Sequence, residues 1–191
     1  MFDFLFKKKF KLDEPLTLLD RNYFEIYDRI CNKEPYWISE DGGGYLEYYH
    51  DKDADSTKEF SGIFDVRVHN FVEYVENEKY DNTIFAAGKI YSDKDESFID
   101  KILYNLSRDK VAVRDSRGQI IDGWYWYDDK IQIKVEKEYD DNPNHEYWRG
   151  IITYRLLEPT PSKWYIKSQK EKNKKKTGRD RIEEDIKKCL K

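Results

Sequence analysis

Two cysteines in 191 residues, Cys31 and Cys189, are too few and too far apart for a disulfide framework or a thiolate metal site. Histidine is nearly as scarce. His50, His69 and His145 are the only three, and no two stand at helical or hairpin metal-ligand spacing. Five prolines and nine glycines exclude a long flexible linker. No apolar run approaches the roughly 18–20 residues that span a bilayer. In Met1–Phe10 the apolar part, Phe2–Phe6, precedes the lysines, the reverse of a secretory signal, so a soluble cytoplasmic chain is expected. Catalytic signatures are missing as well: there is no nucleophile elbow, phosphate-cradling loop or dinucleotide fingerprint. Gly42-Gly43-Gly44 has no following Lys-Ser/Thr and reads as a turn. No cofactor, metal or enzymatic activity is expected.

What the chain has instead is rings and charge. Aromatic residues make up 16% and charged residues 39%, so disorder does not follow from the low hydrophobic content of 38%. Each ring buries on the order of 150–250 Å², so with 16 Tyr, 10 Phe and 5 Trp the core is expected to be built from rings as much as from aliphatics. The net charge of −4 conceals an asymmetry: residues 163–191 hold 12 Lys/Arg against 5 Asp/Glu, and residues 1–162 hold 23 against 34. An acidic body disfavours duplex nucleic acid and suits a basic partner. The expected division is an acidic body, 1–166, and a basic tail, 167–191.

Periodicity predicts two helices. Leu19, Tyr23, Ile26, Tyr27 and Ile30 form one face of a helix over 16–32, and Phe98, Ile99, Ile102, Leu103 and Leu106 mark a second with Ser97 as cap. Strands are expected at 36–39, 45–50, 63–76, 83–91, 110–114, 119–127, 130–138 and 147–157, with a loop at Asp140–Asn144. The alternation slips at Asn70-Phe71-Val72, which suggests a bulge or bend. Small residues Ala86-Ala87-Gly88 mark a place of close packing. The expected fold is α+β: a mainly antiparallel, strongly bent sheet of hairpins, two packed helices and a basic C-terminal extension. Lys167–Arg181 is too polar to build a core, while Ile182, Ile186, Cys189 and Leu190 allow a short helix at 179–190.

The run Trp124-Tyr125-Trp126-Tyr127-Asp128-Asp129 is the strongest pointer to use. On a strand the tryptophans share one face and the tyrosines the other. Strand 130–138 has a single apolar face, Ile131/Ile133/Val135, so one ring pair is expected buried and the other left for a partner. Trp124, Trp126, Tyr127, Asp128 and Asp129 are the candidate contacts, with the acidic loop Asp51, Asp53 and Asp55 as a second set. That loop begins like a calcium loop, but Ser56 replaces the turn glycine and Gly62 the bidentate Glu, so it reads as solvated acid. His50, His69 and nearby carboxylates could meet as a His–carboxylate site. His145-Glu146 lacks the second histidine of a zinc helix.

The expected role is a small inhibitor, of the immunity or anti-defence type, whose acidic-aromatic surface neutralises a basic protein such as a toxin or nucleic-acid-acting enzyme. The alternative is nucleic-acid association through Lys167–Lys191, where Trp164-Tyr165 stands beside phosphate-seeking charge. Phe2, Phe4 and Phe6 with Lys7–Lys9 either touch an anionic membrane or tuck into the core.

Overall fold

The computed structural model describes residues 11–33, 36–42, 44–50, 67–75, 77–142 and 145–174. A 3-10 turn (Pro15–Thr17) precedes α1 (Tyr23–Lys33). A first antiparallel meander follows: β1 (Tyr36–Gly42), β2 (Tyr45–His50), β3 (Arg67–Val75) and β4 (Thr83–Asp93). Helix α2 (Glu96–Ser107) carries the chain across to a second meander. Its strands are β5 (Val111–Arg114), β6 (Ile120–Trp126), β7 (Ile131–Asn142) and β8 (His145–Leu156). A third helix, α3, spans 163–174. The meanders join along β4 and β8 into one eight-stranded sheet, ordered β1-β2-β3-β4-β8-β7-β6-β5.

The α+β class and the antiparallel sheet agree with the sequence, but the strong bend does not. The sheet is open, its edges β1 and β5 do not pair, and it is not strongly curled. The slip at Asn70-Phe71-Val72 arises because all three residues are buried, on both faces of a strand near the sheet's middle. They pair without interruption to Lys89, Gly88 and Ala87, and the register shift comes later, between Glu73 and Tyr74.

One face of the sheet is covered. Tyr23, Ile26 and Ile30 of α1 join Leu12, Leu18 and Leu19 over Leu46, Tyr48, Val72, Ile84 and Ala87. Ile99 and Ile102 of α2 pack on Tyr91, Ile133 and Ile152 in a second cluster. Fully burying such a side chain stabilises by roughly 1.5–3 kcal/mol. Helix α2 comes close because β8 offers Gly150, where a Cβ would sit 3.0 Å from Ile99 and from Leu103. Lys137 then ties it down through Glu96 at 2.9 Å and Asp100 at 2.6 Å.

Local boundaries differ from expectation for identifiable reasons. The single helix over 16–32 is broken at Asp20, whose φ is 64°. Its carboxylate accepts the Thr160 N–H at 2.7 Å and hydroxyl at 2.6 Å, and its own N–H donates to Ile84 O at 2.8 Å. These long-range bonds hold a left-handed residue inside a helical pattern. In α2 the cap is Asp95, which accepts the Ser97 N–H at 2.9 Å. The loop expected at 140–144 is strand as far as Asn142, which pairs with His145. Arg149 reaches Asp140 at 2.6 Å across the hairpin, and the Tyr139 and Trp148 rings lie 4.9 Å apart. Residues 167–174, too polar to build a core, are helical. The helix expected at 179–190 lies outside the described residues. Among those residues no helix is long and apolar enough to cross a membrane.

Candidate binding face

The register sorts every strand residue onto one face or the other. Leu46, Val72, Ala87, Tyr154, Ile133 and Tyr125 follow one another across the sheet on the covered side. The neighbouring row on the opposite face runs Glu47, Phe71, Gly88, Thr153, Lys134 and Trp124. Beside it lie Tyr45, Glu73, Ala86, Arg155, Gln132 and Trp126. Neither core cluster draws on this second face.

The Trp-Tyr-Trp-Tyr run is therefore divided by the sheet. Tyr125 packs into the second core cluster, and the Tyr127 ring meets Tyr154 edge-on at 5.5 Å, with the Lys110 ammonium 4.3 Å from its centroid. Trp124 and Trp126 stand half-buried on the open face. Gly123 makes this placement possible: its φ is 72°, and a Cβ there would come within 2.7 Å of Val135 O. Asp128 is occupied locally, its carboxylate accepting the N–H groups of Lys130 at 2.8 Å and Ile131 at 2.7 Å. Such an Asx turn closes the β6–β7 hairpin. Asp129 is exposed at the same hairpin end. Asp51, Asp53 and Asp55 lie outside the described residues. The structure thus groups Trp124 with Trp126 and sets Tyr127 on the other side.

Around the tryptophans the open face carries charges that the sequence did not connect. The Trp124 ring has Lys134 Nζ at 5.7 Å and the Arg155 guanidinium at 5.8 Å, and Arg155 also lies 5.9 Å from the Phe85 ring. Contacts of this kind contribute on the order of 0.5–1 kcal/mol at exposed sites. Lys134 pairs with Glu136 at 2.5 Å. Glu73 is half-buried in the adjoining row. Burial pushes its carboxyl above the usual range, Glu136 adds to that push, and Arg155 and Lys134 oppose it.

Farther along, Glu47 meets His69 Nδ1 at 2.5 Å and accepts the Tyr45 hydroxyl at 3.3 Å. Burial raises the Glu47 carboxyl, but the hydrogen bond and charge of His69, the Tyr45 hydrogen bond and the Arg149 charge together outweigh it, and the group ends below its ordinary value. The His69 ring stacks on Tyr49 at 5.0 Å. His69 thus does find a carboxylate, contributed by β2. Among the described residues no group of three His, Cys, Asp or Glu is placed to hold a metal ion. The signal for this face was the Ala86-Ala87-Gly88 run, because the Phe71 ring lies directly over Gly88.

No family model, curated protein or solved structure matches this chain.

Proposed function

We propose that the chain is a small protein-binding inhibitor, of the immunity or anti-defence type, that neutralises a basic partner such as a toxin or a nucleic-acid-acting enzyme. One observation carries this reading: half-buried Trp124 and Trp126 share a sheet face with Glu47, Glu73 and Glu136, away from both core clusters. Tryptophan supplies large contact area at little entropic cost, and carboxylates beside it select a cationic partner. The excess of 34 acidic over 23 basic residues in 1–162 would steer such a partner in. Asp129, exposed at the β6–β7 hairpin end, extends the proposed contact, and Asp51, Asp53 and Asp55, outside the described residues, remain its second candidate set. Affinity capture with the intact chain, followed by titration of the captured partner, tests the reading. The double substitution Trp124→Ala/Trp126→Ala should weaken binding by at least about tenfold, in line with the loss of hot-spot rings. Tyr104→Ala, at a residue 65% exposed on α2, should leave binding unchanged. Equal loss in both variants would place the interface elsewhere.

A second reading has its own observation. Helix α3 spaces Lys163, Lys167, Lys170 and Lys174 by four, three and four residues, which sets them along one side of a helix. Such a stripe beside exposed Trp164 fits the stacking-plus-phosphate pattern of single-stranded nucleic acid. Salt-dependent oligonucleotide binding that disappears when these four lysines become serine would favour it.

A further inference from the structure

On the covered face, a cavity of about 440 Å³ opens between the two core clusters. The Asp13–Thr17 segment and Leu106 of α2 wall it, and β4 and β8 form its floor through Lys89, Tyr91, Ile152 and Tyr154. Its size falls within the roughly 300–1,000 Å³ of small-molecule sites, which pair apolar walls with a few placed polar groups. Here the register fixes those groups. Lys89 stands directly across from Ile152, with Tyr91 two residues along its own strand and Tyr154 two residues along the next. The floor thus combines an ammonium with two phenols, all able to donate hydrogen bonds. The walls contribute Pro15, Leu16 and Leu106. Asp13 and Glu14, both exposed, also line the cavity, and the Glu14 carboxylate pairs with Lys11.

We infer that this cavity binds a small apolar monocarboxylate, its carboxylate against Lys89 and its hydrocarbon along Leu16, Leu106 and Ile152. An ammonium carries three N–H donors, so Lys89 can accept the ligand alongside its contacts within the chain. A charge-assisted hydrogen bond is the strong kind, and the apolar walls weaken competition from water. The site lies on the opposite side of the sheet from Trp124 and Trp126, so its test is independent of the partner reading.

The test compares octanoate, octanol and octylammonium by calorimetry and thermal shift on the full chain. Octanoate should bind about tenfold or more tighter than octanol, the margin expected of one charge-assisted bond, and octylammonium more weakly still. Lys89→Met should erase the preference for octanoate over octanol, while Lys89→Arg retains it. Leu106→Trp should abolish octanoate binding by filling the space, with the ligand-free melting temperature reporting that the fold persists. Equal binding of all three probes, octanoate affinity untouched by Lys89→Met, or preference for octylammonium would each overturn the inference. So would octanoate binding only when Phe2, Phe4 and Phe6 are changed to serine, because the chain's own rings would then be the occupant.

Discussion

The two faces of the sheet solve the same problem with different materials. On the covered face, Tyr23, Ile26 and Ile30 of α1 and Ile99 and Ile102 of α2 close over Leu46, Val72, Ile133 and Ile152, and burial against helices supplies most of the stabilisation. On the other face the side chains cover one another. Phe71 is only 3% exposed there, with the Tyr45 ring stacked 5.7 Å away and the Gly88 backbone beneath it. Cations rest on Trp124, and Glu47 is held by His69. A face closed by rings and ion pairs keeps polar groups at its surface, where a partner can use them.

Five substitutions would break or sharpen this contrast, measured by urea and thermal unfolding. Ile133→Ala, at a fully buried position beneath α2, should cost about 2–5 kcal/mol. Gly88→Ala should cost nearly as much, about 3 kcal/mol, although it lies on the other face. A Cβ there would stand 2.0 Å from Ile152 O and 2.5 Å from the Phe71 ring. If Gly88→Ala proves neutral, Phe71 is not the core-like element of the open face. Trp124→Ala should cost only about 1–2 kcal/mol, since Trp124 is half-buried and its ring is flanked by the Lys134 ammonium and the Arg155 guanidinium rather than by a helix. A cost matching that of Ile133→Ala would make Trp124 a core residue and weaken its claim as a partner contact.

The smallest effect is a matter of sign. Glu73 has a raised carboxyl in the folded chain, so the stability it contributes is full below its unfolded value and lost as pH rises through the folded one. Glu73→Gln should therefore raise the melting temperature near neutral pH, by about 1–2 °C in a chain of this size, and change it little at about pH 3. Glu47 runs the other way. Its depressed carboxyl contributes stability above the unfolded value, which is lost as pH falls through the folded one. Glu47→Gln should accordingly lower the melting temperature near neutral pH. Shifts of the same sign in both variants would refute the account of the two carboxylates.

Much of the fold was legible because local pattern and tertiary burial agree. The apolar faces read along α1 and α2 are the faces that enter the core. Strand positions were legible from alternation wherever only one face is deeply buried, as in β7. Where both faces are buried, as at Asn70-Phe71-Val72, alternation disappears, and the local pattern resembles a bulge or bend. Asp20 was unreadable for a different reason: its partners, Ile84 and Thr160, are distant in sequence. The candidate site was half legible. Period-two geometry separates Trp124 and Trp126 from Tyr125, but nothing local could show that Lys134 and Arg155 flank Trp124.

By itself the sequence determined the class of fold, the separation of tryptophans from tyrosines along one strand, and the acidic body with its basic end. Each follows from local chemistry: side-chain period, ring content and charge count. Tertiary structure alone decided which ring pair faces the helices, because that depends on the side from which α2 crosses between the meanders. It also decided that β8 lies beside β4, which brings Arg155 to Trp124 and sets Lys89 across from Ile152. Strand order is a property of long-range pairing, and no short window of residues contains it.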